Sequence, residues 1–363
     1  MVCPATKLAG KDMISTQEWT KEELDTVLAI ADRLKEMWAC GHMPQILDRK
    51  TLFMMFYNSS LRTRNSFEVG MTQLGGHAQF LDSSTSYTPI DSLESAPGRE
   101  RVKDTAQVLD RYGEGLAIRV FGKPVNMVYG AGNQMIRNFA KYCSIPVLDM
   151  DCDMYHPHQA LCDLMTLREK FGPHNLKGKK FVMSWATAPS PWKPLAVAHS
   201  NIELMTRYDM DVTVAYPKEF PLDERILKNA KENAEECGTT FEIVHDMDEA
   251  FEGADIVYPK GWTSINYLPT LKDPTKKPDE EKIMSLLKKY ETEKSWTCNA
   301  ERMEKTNNAY YMHCLPADVK DGWEVTPEVI DGPRSIVIDE AENRLHVQKG
   351  VPIKTSCGGV VGL

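Results

Sequence analysis

Three short stretches of this chain carry residue types that can do chemistry together. The first is Ser60-Leu61-Arg62-Thr63-Arg64. It follows the apolar run Leu52–Tyr57 and the polar turn Asn58-Ser59-Ser60, and it opens a helical pattern through Phe67, Val69, Met71 and Leu74. A strand, a tight turn and a helix start present N–H groups and the positive end of the helix dipole, with hydroxyls and guanidiniums beside them. That combination suits a phosphate or another oxyanion. An ordinary capped helix with solvated arginines would show the same residues. It is not a P-loop, which needs Gly and Lys at positions where this chain lacks them.

The second stretch is His156-Pro157-His158-Gln159, a strand end entering a helix. An imidazole and an amide there suit polarising a carbonyl and holding an amino group. A plain helix cap with Pro157 in the first turn is the alternative. Asp151, Cys152, Asp153, His156 and His158 crowd in the manner of a metal-ligand set. Consecutive positions on a turn diverge, however, and no distant cluster matches them, so no metal is expected. The third stretch is His313-Cys314-Leu315-Pro316 after Tyr310-Tyr311-Met312. A Cys–His nucleophile pair is conceivable, yet neighbours on a strand face opposite sides, which places His313 poorly as a base for Cys314. Gly130-Ala131-Gly132-Asn133 half resembles a dinucleotide fingerprint. It lacks the third Gly and the acidic partner, and reads as a loop before a helix over Gln134–Cys143.

The elements that must position these groups alternate. A helix is expected from Gln17 to Gly41, with Thr20 and Glu23 at capping-box spacing and Leu24, Val27, Leu28, Ala31, Leu34 and Trp38 on one face. Strand-like runs follow near Leu52–Tyr57, Ala78–Leu81, Leu116–Phe121, Pro146–Leu148, Lys180–Ser184, Asp211–Tyr216, Thr240–Val244, Asp255–Tyr258, Ala309–His313 and Ser335–Ile338. Helical patterns such as Val102–Tyr112, Gln159–Lys170 and Asp223–Glu236 separate most of them. This predicts an α/β fold of two doubly wound parallel-sheet domains bridged by helices. Residues 1–155 are expected to form one domain and 156–340 the other, with 341–363 packing back on the first. Asp82–Gly98 and Trp262–Asp279 read as long loops, candidate lids at the strand ends.

Composition narrows the function classes. The chain has 363 residues, 42% apolar and 26% charged, ordinary for a globular protein of two domains. The net charge of −9 disfavours nucleic acid and anionic membranes as partners. No apolar run is long enough for a membrane helix, and Met1–Lys7 does not look like a secretory signal. Nine scattered cysteines without a C-x-x-C pair suggest reduced thiols and a cytoplasmic location.

Taken together the motifs resemble the aspartate/ornithine transcarbamylase superfamily. Ser60-Leu61-Arg62-Thr63-Arg64 is similar to its S-x-R-T-R and His156–Gln159 to its H-P-x-Q. His313–Pro316 resembles the H-C-L-P of the ornithine branch, and Asp339–His346 its C-terminal signature. The resemblance implies transfer of a carbamoyl group from carbamoyl phosphate to an amine, with no metal and no cofactor. It implies Ser60, Leu61, Arg62 and Thr63 at the phosphate, Arg119 and His156 at the carbonyl oxygen, and Gln159 at the carbamoyl amino group. Cys314, Leu315 and Arg344 would complete the pocket. The proline-rich segment Ser184–Leu195 looks like that of the knotted branch, which includes acetylornithine and succinylornithine transcarbamylases. That likeness implies a trefoil knot in the second domain and a homotrimer with shared active sites. It points to Lys260 and Trp185 as acceptor contacts, with Tyr87 and Thr88 reaching in from a neighbour. The segment after H-C-L-P departs from the acetylornithine enzymes: Ala317-Asp318 stands where they have a basic run. The acceptor therefore does not carry over; the chain most resembles the knotted, catabolic transcarbamylases of unassigned acceptor, a resemblance that implies the phosphorolytic direction. The rivals are a non-catalytic carbamoyl-phosphate-binding relative, an ornithine- or acetylornithine-type biosynthetic enzyme, and a nucleotide-binding α/β protein.

Overall fold

A computed structural model describes residues 8–83, 88–90 and 99–357. Among them, those within 1–126, 130–162 and 342–363 form one compact unit, and those within 127–129 and 163–341 form a second.

In the first unit, α1 spans Lys21–Ala39 and starts on the expected capping box: Thr20 Oγ1 accepts from the Glu23 N–H at 3.2 Å, and the Thr20 N–H donates to Glu23 Oε2 at 2.8 Å. Leu24, Val27, Leu28, Ala31 and Leu34 are buried, whereas Trp38, in the final turn, is 48% exposed. The chain continues through β1 (Thr51–Phe56), α2 (Leu61–Gln73), β2 (His77–Asp82), and the short strands β3 (Thr88–Ile90) and β4 (Arg99–Arg101). It then forms α3 (Val102–Tyr112), β5 (Gly115–Val120), α4 (Ala131–Tyr142), β6 (Val147–Cys152) and α5 (Pro157–Phe171). A parallel sheet runs in the order β2-β1-β5-β6. Strands buried on both faces read as continuous apolar runs, which is why β1 was legible without alternation.

The second unit holds β7 (Lys180–Trp185), α6 (Ala196–Arg207), β8 (Asp211–Ala215), α7 (Glu224–Cys237), β9 (Phe241–Val244), α8 (Met247–Phe251) and β10 (Ile256–Lys260). After these come α9 (Glu280–Glu293), α10 (Ala300–Met303), β11 (Tyr310–Tyr311), α11 (Pro327–Ile330) and α12 (Val337–Cys357). Its sheet is also parallel, in the order β11-β10-β7-β8-β9. The fold is thus α/β with two main parallel sheets, beside the parallel pair β3-β4. The division falls inside two helices, between Cys162 and Asp163 in α5 and between Ala341 and Glu342 in α12.

Each sheet reverses its strand order once, between β1 and β5 and between β7 and β10. The carboxyl ends of strands at such a reversal form the crevice where open α/β sheets bind ligands. One expected strand is absent. Ser335 makes only an isolated bridge to Tyr311, and α12 begins at Val337. The helix over 134–143 starts earlier, at Ala131, for a reason that belongs to the site.

Candidate functional site

At the first reversal, β1 ends at Phe56 opposite Arg119 of β5. Asn58 then braces the turn: its Nδ2 donates to the Phe121 carbonyl at 3.1 Å, and its Oδ1 accepts the Phe121 N–H at 2.9 Å. Ser60 caps α2, accepting the Thr63 N–H on its hydroxyl at 3.2 Å. The first turn of this 13-residue helix therefore presents backbone N–H groups of Leu61 and Arg62 at the strand ends, with the half-buried Arg62 beside them.

Arg119 is set by a slip in pairing. Ile118 faces Asp149 on β6, but Arg119 faces Asp151, so Met150 is one extra residue. The slip brings the Arg119 Nη1 to 2.7 Å from Asp151 Oδ2. Bulges of this kind commonly re-aim a side chain beside a functional site.

Past β6 the chain turns into α5 and delivers His156 and Gln159, both buried. Arg344 of α12, also buried, joins three of the expected residues. Its Nη1 lies 2.9 Å from His156 Nε2 and 3.5 Å from Thr63 Oγ1, and its Nη2 donates to Gln159 Oε1. With a guanidinium donating to it, Nε2 of His156 is the acceptor nitrogen here. His158 is fully buried, with Nδ1 3.0 Å from the Asp149 carbonyl, and burial pushes its pKa down to about 3, with Arg344 adding to the shift. It is a neutral ring.

The glycine segment of the false fingerprint has a different role. The N–H groups of Gly130, Gly132 and Asn133 donate to the Asp153 carboxylate at 2.6, 3.1 and 3.0 Å. The acceptor at this helix start is therefore the chain's own carboxyl, whose pKa burial raises against the pull of these N–H groups. A Cβ at Gly132 would stand 2.3 Å from the Val120 carbonyl oxygen, which explains the glycine. Asp151 and Asp153, which crowd the turn as metal ligands would, are thus engaged by Arg119 and by backbone N–H groups. Sequence reasoning missed these roles; the signal was the period-two spacing of Asp149, Asp151 and Asp153 along and just past one strand.

In the second unit the expected residues gather at the second reversal, where Lys260 of β10 pairs with Trp185 of β7. Lys260 is buried, its Nζ donating to the Pro194 and Gly261 carbonyls at 2.9 and 2.8 Å. Trp185 corrects an expectation. It is fully buried among Phe220, Tyr290 and Trp296, and its indole N–H donates to the Trp262 carbonyl at 2.9 Å, so it is a core residue rather than a pocket wall. Tyr87 lies outside the described residues, as does the side chain of Thr88, whose backbone is in β3.

Leu315 adopts a left-handed φ of 53°, and its N–H donates to His313 Nδ1 at 2.9 Å. His313 Nε2 then faces Glu324 Oε2 at 3.3 Å. Burial alone would raise the Glu324 carboxyl; His313, Lys193 and the Gly261 N–H outweigh it and hold the group well below the usual carboxylate range. Lys193 ties in Asp318 at 2.6 Å and Glu324 at 3.6 Å. Burial pushes the Cys314 thiol up to about 11 against the pull of Lys260, so it stands protonated rather than as a nucleophile. Glu324 was not foreseen; no motif surrounds it.

Comparison with known proteins fits this geometry. Residues 11–169 match the carbamoyl-phosphate-binding domain of aspartate/ornithine carbamoyltransferases, and residues 194–355 match their Asp/Orn-binding domain. The chain belongs to the aspartate/ornithine carbamoyltransferase family. It is 35% identical to the N-acetylornithine carbamoyltransferase of Xylella fastidiosa over 95% of this chain and 98% of that one. It is 36% identical to the ornithine carbamoyltransferase of Pyrococcus abyssi over 97% and 98%. Among solved structures, an acetylornithine transcarbamylase complexed with acetylcitrulline aligns with a TM-score of 0.85 at 34% identity, covering 97% of this chain and all (100%) of the other. Among the described residues, no helix of this family member is long and apolar enough to cross a membrane.

Proposed function

We propose that this carbamoyltransferase binds carbamoyl phosphate on its first unit and an amino-acid-like or diamine acceptor with its second. The observation that carries the reading is Arg344, whose guanidinium joins Thr63 of the anion-binding helix start to His156 and Gln159. A mere anion binder has no use for an imidazole and an amide held beside the phosphate groups.

In this reading Ser60, the N–H groups of Leu61 and Arg62, the Arg62 side chain and Thr63 hold the phosphate. Arg119 and His156 donate to the carbonyl oxygen, Gln159 holds the carbamoyl amino group, and Arg344 spans both ends. The acceptor amine attacks the carbonyl carbon, and negative charge grows on the oxygen these donors face. The C–O bond to phosphate then breaks. The phosphate leaves with the electron pair and takes the amine proton, so no protein base is required. The same groups serve the reverse reaction, phosphorolysis of a ureido compound.

In the same reading Cys314 and Leu315 serve carbamoyl phosphate, and Lys260 serves the acceptor. The second unit also has a cavity of about 550 Å³ lined by Pro189, Trp323 and the Ala317–Asp321 segment. Relatives named for N-acetylornithine and ornithine support an amino-acid-like acceptor. A homotrimer, a knotted second unit and a cytoplasmic location belong to the same reading.

The test is amine-dependent phosphate release from carbamoyl phosphate across ornithine, its acetyl and succinyl derivatives, aspartate, putrescine and short diamino acids. Arg62→Ala is expected to weaken carbamoyl-phosphate binding by about a hundredfold, the usual scale for a charged hydrogen-bond partner. Binding by the variant equal to wild type would overturn the phosphate assignment.

A further inference from the structure

We infer that Cys152 is a positioning residue for the carbonyl-side donors, because the turn that delivers His156 is folded around its sulfur. The inference rests on the roles proposed for His156 and Arg119.

Cys152 is the last residue of β6 and is fully buried. Its Sγ accepts the N–H of Met154 at 3.3 Å and of Tyr155 at 3.2 Å, and the Asn133 side-chain amide approaches it at 3.7 Å. Its own N–H donates back to the Tyr155 carbonyl at 2.9 Å. Two successive backbone N–H groups between the strand and His156 therefore converge on one atom. Sulfur is a weak acceptor, and three donors on one thiol sulfur is a specific arrangement rather than apolar filling. Burial pushes the thiol well above its ordinary value, with the neighbouring Asp149 carboxyl adding to the shift. The acceptor is a neutral sulfur.

What the turn connects gives this consequence. The residue before Cys152, Asp151, holds Arg119. The residue after it, Asp153, is fixed by the N–H groups of Gly130, Gly132 and Asn133. Four residues on, His156 meets Arg344. The sulfur thus sets the spacing between the strand that holds Arg119 and the imidazole assigned to the same oxygen. A misplacement of such a group by about 1 Å can cost a hundredfold in rate while leaving the phosphate contacts alone. Those contacts come from α2, which the turn does not carry.

The experiment compares Cys152→Ala, Cys152→Ser and the control Cys143→Ser in the full-length protein. Alanine removes the acceptor; serine keeps one on a shorter bond. For Cys152→Ala we expect kcat to fall about 10- to 100-fold with KM for carbamoyl phosphate within about twofold, serine recovering most of the loss and the control behaving as wild type. The NMR signals of the His156 ring, assigned by a His156→Gln variant, are expected to move in Cys152→Ala, return most of the way in Cys152→Ser and stay put in the control. This second readout needs no substrate, so failure of carbamoyl-phosphate turnover in the wild type would count against the proposed function alone. Unmoved His156 signals in folded Cys152→Ala would overturn the inference. So would a parallel loss of kcat and carbamoyl-phosphate binding in both variants.

Discussion

The two strand-order reversals of this protein are built alike and finished differently. At each, neighbouring parallel strands end side by side, Phe56 against Arg119 and Trp185 against Lys260. After β1 the chain enters a helix whose start faces outward, with Leu61 75% exposed and Arg62 half-buried. After β7 it enters a proline-rich loop whose charges are turned inward. Lys193 is held by Asp318 and Glu324, and the Lys260 ammonium by carbonyls. The first is an open helix start made from one contiguous stretch and bridged by Arg344 to His156 and Gln159, which the proposed function takes as an anion cradle. The second is an ionic scaffold assembled from three loops far apart in the chain. A shared fold position thus gives an outward-facing helix start in one sheet and an inward-turned ionic frame in the other.

Breaking the cradle should have the largest effect. Arg344→Ala removes the donor shared by Thr63, His156 and Gln159, and kcat/KM is expected to fall by about a thousandfold, the scale seen when a preorganised transition-state donor is lost. Arg344→Lys should recover little, since one ammonium cannot reproduce the planar fork that meets several acceptors at once. A loss smaller than tenfold in either variant would show that the cradle works without its bridge.

Breaking the scaffold should show first in stability. Glu324 accepts the N–H groups of Gly261 and Asp318 at 2.6 and 2.7 Å and faces His313 and Lys193. Glu324→Gln removes one partner of a buried charge set, which typically costs about 3–5 kcal/mol. The sign with pH follows from its lowered folded-state pKa. The stabilisation is complete above the unfolded carboxylate value of about 4.3 and is lost as pH falls below it. Denaturant midpoints of wild type and Glu324→Gln should therefore differ by a constant gap from pH 6 to pH 8, and the gap should narrow below about pH 4. A gap that widens on acidification would mean that Glu324 is not the charged member of the network.

The same contrast explains what the sequence disclosed. The helix start was legible because its groups are local: a cap, a first turn and a guanidinium within Ser60–Arg64. The parallel sheets were legible because doubly buried strands are continuous apolar runs. The partners of these groups were not legible. Asp151 meets Arg119 only through a one-residue slip between β5 and β6, and no local pattern announces a slip. Asp153 accepts N–H groups 20 to 23 positions away, and Glu324 reaches Gly261 across 63. Such pairings are set by tertiary packing, which a reading of local periodicity does not contain. The missing strand at Ser335–Ile338 has a related cause. Its apolar run packs as the entry to α12, so tertiary context rather than β-propensity decided it.

The smallest expected effect separates core from pocket at the second reversal. Trp185 stands beside Lys260 by register, yet its ring lies 4.5 Å from Phe220, 5.5 Å from Tyr290 and 5.9 Å from Trp296. Its indole N–H is spent on the Trp262 carbonyl. Trp185→Phe removes one buried hydrogen bond and part of a ring, and leaves the ion network alone. The expected cost is about 1–3 kcal/mol in denaturant unfolding, with the acceptor KM within about twofold of wild type, because a core residue contributes no uniform binding energy. A tenfold rise in acceptor KM at unchanged stability would place the indole in the acceptor's path. It would also make the second reversal a ligand-lined crevice like the first, erasing the contrast between cradle and scaffold.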